Sequence, residues 1–242
     1  EDLEDHVVVC GWNQAGPLIV EELLNDKRFE HVVVVTELDT IDEQPVVQSH
    51  PTEVFTLEGD YTRVDVLENA GVARASYALL LADSSIEERS SQDRDARTVL
   101  AAMLTEKLNS DIYTTVQLLN RDNESSLKQI GVEEIIVSDE YVGNIMATVT
   151  KNRGIVSMLD ELLTSKWGHQ FFKDEIPEQL IGQQVSEAIV ILKDDYDATL
   201  LGVDLNDPNA RNPILVNPPK DLMLEEDHEL FIAASESLGE RR

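Results

Sequence analysis

Between residues 7 and 137, short runs rich in β-branched residues (7–10, 32–36, 53–57, 77–81, 112–116 and 134–137) alternate with segments of helical periodicity. Strands separated in this way cannot be joined by hairpins. They need crossover connections, and so a parallel sheet with helices on both faces. The expected fold class is therefore α/β: a Rossmann-like, doubly wound parallel sheet. Ligands of such sheets bind beyond the carboxyl ends of the strands, where the strand order reverses. The residues that follow or end the strands are then the ones to examine: Gly11, Glu37, Gly59, Asp60, Asp83 and Gln117.

After residue 138 the alternation stops. Val142, Ile145, Met146 and Val149 recur at helical spacing, and beyond Asn152-Arg153-Gly154 a second stripe follows at Ile155, Val156, Leu159, Leu162 and Leu163. This spells helix, glycine-marked turn, helix. The stripes must be buried against the chain's own sheet or against a second copy, and the pattern leaves both open. From Ile176 the composition changes. "IPEQLIGQQVSEAIV" reads as strand, turn and short helix, and "ATLLGVDL", "PILVNPP" and "HELFIAAS" read as strands between Asp/Asn/Pro-rich turns. A smaller α+β domain is expected there, giving an organisation of 1–137, 138–168 and 169–242.

Charge narrows the partners. Against 19 basic residues stand 48 acidic ones, a net charge of −29, which repels phosphate backbones and anionic lipid. Nucleic acid is not an expected partner. No apolar run approaches the roughly 20 residues of a membrane helix, so no direct membrane insertion by this segment is expected. A lone Cys10 in a core strand gives no disulfide framework and suits a reducing, cytoplasmic setting. The chain opens at Glu1 rather than Met, from which further chain upstream is expected.

Gly11-Trp-Asn-Gln-Ala-Gly16 follows the first run and opens a helix. Gly11 permits a sharp turn, Gly16 permits close packing, and the helix N-terminus offers unpaired N–H groups to an anion. In the dinucleotide fingerprint a third glycine lies between them; Asn13 stands there and narrows the space for a pyrophosphate. Glu37, 21 residues beyond Gly16, is placed to accept hydrogen bonds from a ribose. The candidate cofactor-binding set is Gly11, Asn13, Gly16, Glu37, Asp60 and Asp83. Asp83 also ends the fourth run near Asp93 and Asp95, and converging carboxylates are the hard oxygen ligands that Ca²⁺ prefers. Asp95, ahead of "ARTVLAAM", equally suits a helix N-cap. No H-E-x-x-H pair, G-x-S-x-G elbow or Cys-His arrangement is present, and the expected catalytic set is empty.

With these pieces in place the chain resembles the RCK family, the regulators of K⁺ conductance, which includes the Trk and Ktr regulators. The resemblance rests on "VVVCGWNQAG", "LEGDYTRVDVLENAGVARASYALLLAD", "LKQIGVEEIIVSDEYVGNIMA" and "ILVNPPKDLMLEEDHELFIA". The G-D-x-T-x-x-x-x-L-x-x-A-G-V run beginning at Gly59 is the most specific. "DRDARTVLAAM" is similar to the castor/pollux branch of ion channels. The resemblance implies non-enzymatic regulatory domains that follow a cation-channel pore, pair through the helix-turn-helix and assemble as tetrameric or octameric gating rings. It also implies Ca²⁺ or other cations, or NAD and adenine nucleotides, as ligands near the strand ends. Asp83 matches an acidic position that one branch uses for Ca²⁺, whereas Gln117 and Leu119 stand where that branch has glutamates. The expected cation site is therefore built from Asp83, Asp93 and Asp95. A soluble NAD-dependent oxidoreductase is the competing class.

Overall fold

The computed structural model describes residues 3–26, 28–207, 210 and 212–239; the outermost residues of the expected first and last domains lie outside these. The chain forms two compact units, Glu1–Lys151 and Asn152–Arg242, divided within the segment expected to cross over.

The first unit is the parallel sheet: β1 (Val7–Cys10), β2 (Val32–Thr36), β3 (Val54–Glu58), β4 (Tyr77–Leu80), β5 (Tyr113–Leu118) and β6 (Glu134–Val137), in the order β3-β2-β1-β4-β5-β6. All five pairings are parallel. The order reverses between β1 and β4, so the crevice at their carboxyl ends is the switch point of the fold. The third strand lies one residue later than the sequence pattern suggests, and the fifth runs on to Leu118.

Register explains the two cores. Val8, Cys10, Val33, Val35, Ala78, Leu80, Val116 and Leu118 face one side, under α3 (Val64–Asn69), α4 (Ser91–Leu108) and α5 (Glu124–Gln129), with Tyr61, Leu67, Ala101, Ala102 and Leu127 filling the layer. Val7, Val9, Val32, Val34 and Val54 face the other side, where α1 (Gly16–Asn25) and α2 (Pro45–Ser49) bring Val20 and Val47. Burying each such side chain is worth about 1.5–3 kcal/mol before the entropy of ordering.

This second face is only half covered. Tyr77, Tyr113 and Ile136 lie on it by register, and each remains about two-fifths exposed. The next element in the chain is α6 (Ser138–Lys151), on which Val142, Ile145 and Met146 all stand exposed. Parallel sheets are ordinarily buried on both faces.

The second unit contains α7 (Ile155–Leu162), β7 (Gln170–Glu175), α8 (Val185–Tyr196), β8 (Thr199–Asp204), β9 (Ile214–Val216) and β10 (Glu229–Ala234). Its strands form an antiparallel sheet, β7-β10-β8-β9, whose core joins Leu180, Leu192, Val203, Leu230 and Ile232. The expected strand at Ile176 is a correction: the strand precedes it, and residues 178–180 form a 3-10 turn. β7 reads Gln-Phe-Phe-Lys-Asp-Glu, with charges on its open face that disguise it in the sequence. Among the described residues no helix is long and apolar enough to cross a membrane.

Candidate functional site

Gly11 leaves β1 with φ +84°, and a Cβ there would lie 2.9 Å from the Leu81 carbonyl oxygen and 3.1 Å from Asp83 Cβ. The glycine thus lets β1 and β4 end side by side. A Cβ on Gly16 would meet the buried Trp12 indole at 2.8 Å, so this glycine makes room for Trp12 beneath the first turn of α1. Asn13 crosses the switch point. Its Nδ2 donates to the Ala82 carbonyl (3.1 Å) and to Gln117 Oε1 (2.9 Å), while its Oδ1 accepts from Ala15 N–H (2.9 Å). Gly16 N–H donates to the Asn13 carbonyl, and Pro17 has no N–H. The start of α1, where the sequence left room for an anion but Asn13 argued for a mainly structural turn, is largely satisfied by its own turn, and a pyrophosphate bound there would have to displace Asn13.

Beside this turn three carboxylates and two guanidiniums interlock. Glu37 Oε2 accepts from Arg97 Nη2 and forms an ion pair with Arg89 Nη2, each at 2.6 Å. The same Arg97 nitrogen reaches Asp60 Oδ1 at 2.7 Å, and its guanidinium lies 5.0 Å from the centre of the Tyr61 ring. Burial opposes the Asp60 charge, but the Thr62 hydroxyl and N–H, together with Arg97, outweigh it and hold the carboxyl below its ordinary range. Burial likewise opposes the Arg97 charge, yet Tyr61, Glu37 and Asp60 carry its pKa above the usual value. Burial first, and then the Asp83 charge, push the Tyr61 phenol well upward.

Asp83 is the deepest member, 1% exposed. Its Oδ1 accepts from Trp12 N–H (3.3 Å) and Ser85 N–H (2.8 Å). Its Oδ2 has no hydrogen-bond partner among the described residues; Arg89 Nη1, which also lacks one, stands 3.8 Å away. Of the expected cofactor-binding residues, Glu37, Asp60 and Asp83 are therefore brought together, with Gly11, Asn13 and Gly16 along one side.

The expected cation set does not converge. α4 begins at Ser91 with Ser90 as N-cap, in a capping box with Asp93: the Ser90 hydroxyl accepts from Asp93 N–H while Asp93 Oδ2 takes the Ser90 N–H and hydroxyl. Asp95 is not the cap. It lies inside α4, buried, and its two oxygens accept Leu119 N–H and Asn120 N–H at 2.9 Å each, fastening the end of β5. Helix capping and strand anchoring have claimed the two carboxylates that the sequence offered for Ca²⁺. Among the described residues, the three potential ligands that come within 4.8 Å of one another are Glu225, Asp227 and His228, which sequence reasoning did not single out. There His228 Nδ1 accepts the Glu225 N–H at 3.3 Å, a bond that competes with metal ligation.

His6 and His31 precede β1 and β2, at the opposite edge of the sheet. Cys10 is buried, and burial pushes its thiol up to about 12. Sequence reasoning missed Arg89 and gave Arg97 no role. Arg97 was nonetheless visible within the Asp-Ala-Arg element, three residues after Arg94 on the face of α4 that meets the rim.

Comparison with known proteins agrees with this architecture. The chain is 23% identical to the calcium-gated potassium channel TvoK of Thermoplasma volcanium over 77% of its own length and 51% of the relative's. It is 23% identical to the probable ion channel POLLUX of rice over 96% of its length and 24% of the relative's. The chain thus spans about half of the first relative and about a quarter of the second. The human SLO3 gating ring superposes with a TM-score of 0.68 at 15% identity, covering 96% of this chain and 44% of that one. The model of the TrkA-N domain matches residues 7–138, more than half of the chain. With the β3-β2-β1-β4-β5-β6 sheet and the glycine-bearing first turn in place, the chain belongs to the TrkA-N (RCK) domain family and is a distant relative of channel proteins.

Proposed function

We propose that this chain is a non-catalytic, ligand-sensing regulatory domain of a K⁺-conducting cation channel, working as an intracellular gating-ring element. The observation that carries this reading is the Glu37, Asp60, Asp83, Arg89, Arg97 cluster at the switch point. It is a polar, partly buried meeting place of four chain segments, in which both guanidiniums are paired with carboxylates. An ion or small molecule that rearranges it moves β2, β3, β4 and α4 together. Such a ligand shifts a pore only by binding the two states of the ring with different affinity.

Pairing of copies belongs to the same reading. The open half of the sheet face at Tyr77, Tyr113 and Ile136, and the exposed stripe of α6, are complementary in character, and a second copy brings both. Homo-oligomers assembled from such pairs, joined to a pore domain, fit this surface.

The ligand must contend with the ion pairs already present. The local charge of three carboxylates and two guanidiniums is one unit negative, and a divalent cation competes with the guanidiniums for Glu37 and Asp60. Ca²⁺, which gates the relative TvoK, is the first cation to test, at Glu37, Asp60 and Asp83 rather than at Asp93 or Asp95. Replacing Arg97 by Met removes a charge worth on the order of a few kcal/mol at this range before solvent screening. Calorimetry is expected to show Ca²⁺ affinity rising about tenfold in Arg97→Met and disappearing in Asp83→Asn, with Mg²⁺ and NaCl as controls for the acidic surface. Equal Ca²⁺ response in the wild type and both variants removes this cluster as the site. The nucleotide reading, a Trk/Ktr-type sensor of NAD or ATP, is favoured instead by submicromolar binding of either that is lost in Glu37→Ala. Substrate-dependent turnover with NAD or NADH would favour the oxidoreductase.

A further inference from the structure

The bonds of Asn13 continue beyond the switch point. Gln117 Oε1 accepts both Asn13 Nδ2 (2.9 Å) and the Ala82 N–H (3.1 Å), while Gln117 Nε2 donates to Ser138 Oγ at 2.7 Å. A single chain of donors and acceptors therefore runs from Ala15 N–H at the start of α1, through the Asn13 and Gln117 amides, to the first residue of α6.

Both amides are fixed in direction by backbone groups. Turning Asn13 over would set its oxygen against the Ala82 carbonyl and its NH₂ against Ala15 N–H. Turning Gln117 over would set its NH₂ against Ala82 N–H. Neither amide can reverse without leaving partly buried polar groups unpaired, which costs about 1–3 kcal/mol each. The chain consequently has one arrangement when the turn is undisturbed. An anionic oxygen that takes Ala15 N–H displaces Asn13 Oδ1, loosens the hold of Asn13 on Gln117, and so reaches Ser138.

We propose that Gln117 is a positioning residue that couples the state of the Gly11-bearing turn to the start of α6. This deepens the reading given above, because α6 carries the stripe proposed to pair two copies. The start of α6 has a second tether, Arg121, whose guanidinium takes both oxygens of Glu140 at 2.5 to 2.9 Å and which leans on Glu124 at its other side. The Arg121–Glu140 bonds are exposed and involve neither Asn13 nor the turn, whereas the Gln117 side chain bonds both Asn13 and Ser138. Coupling of this kind is reciprocal: whatever shifts α6 also shifts the turn, by the same factor.

The test needs no ligand. Hydrogen exchange of the 242-residue chain is followed at the α6 amides of residues 142–147 for Asn13→Ala, Ser138→Ala and the double variant. The set is measured with Gln117, with Gln117→Leu and with Gln117→Glu. Members of one hydrogen-bond network couple by about 0.5–3 kcal/mol, so the two substitutions should depart from additivity by at least about twofold in exchange rate. Glutamate keeps the acceptor for Asn13 and Ala82, and the Ser138 hydroxyl can turn to donate to it, so the coupling should survive in Gln117→Glu and vanish in Gln117→Leu. Exchange in β5 checks that the sheet is intact, and Gln117→Met, closer in shape, replaces Leu if it is not. Additive effects with Gln117 present, or equal coupling with Gln117→Leu, overturn the proposal. A wild-type chain that stays monomeric would instead sink the pairing reading while leaving this intramolecular result to stand or fall alone.

Discussion

His6 shows at the residue scale how a buried group reports on the fold. It is 1% exposed, with Nε2 3.0 Å from the Ala70 carbonyl, and Nδ1 has no hydrogen-bond partner among the described residues. Burial, assisted by the nearby Arg74 and His31 charges, lowers its pKa despite the opposing pull of the Ala70 carbonyl and Asp5. The unfolded chain then binds the proton more readily than the native one. The stability held by neutral His6 is complete above the unfolded histidine value of about 6.5 and is lost as pH falls below it. The melting temperature of the wild type should fall between pH 7 and pH 5 by more than that of His6→Gln, which keeps a donor to Ala70. Parallel pH curves would show that His6 does not titrate on unfolding. At this scale the sequence displayed the candidates without their partners. Glu37, Asp60 and Asp83 stood out because they end strands, whereas Arg89 sits in an irregular loop where no periodicity marks it. Asp95 suited an N-cap in the sequence and is not one, because its partners, the Leu119 and Asn120 N–H groups, lie 24 and 25 residues further along the chain.

At the scale of elements, the sheet strands were legible because β-branched runs have few alternatives when helices separate them. Their ends were less so: Glu58 and Leu118 extend strands past the point where the apolar pattern fades. β7 was invisible because alternation with Lys173 and Glu175 on its outer face resembles a surface loop. The two stripes of α6 and α7 were plain in the sequence, and pairing of two copies is proposed to cover them. Light scattering at micromolar concentration should find the wild type at twice the chain mass or a multiple of it. Ile145→Asp with Leu159→Asp should give the single-chain mass with the first sheet still folded. Burying two apolar side chains per copy is worth several kcal/mol, so the shift in dissociation constant should exceed about a hundredfold. A monomeric wild type, or a double variant with unchanged mass, contradicts pairing through these helices.

For the whole molecule, the acidic surface and the TrkA-N architecture constrain different things. A charge of −29 disfavours nucleic acid and anionic lipid; the parallel sheet sets where a ligand meets the chain; neither names the ligand. The Gly11 and Gly16 turn, which has the look of a nucleotide cradle in the sequence, is filled by its own Asn13 and by Trp12. The ion-pair cluster beside it is the better place to look. The central claim, that this rim senses a ligand on behalf of a cation pore, is tested most directly by K⁺ flux. Vesicles holding the complete channel that contains or partners this chain would be compared as wild type, Asp83→Asn and Arg97→Met, with and without added Ca²⁺. Flux that responds to Ca²⁺ in the wild type, responds at lower Ca²⁺ in Arg97→Met, and ceases to respond in Asp83→Asn is the outcome expected here. Ca²⁺-dependent flux identical in all three would contradict the claim.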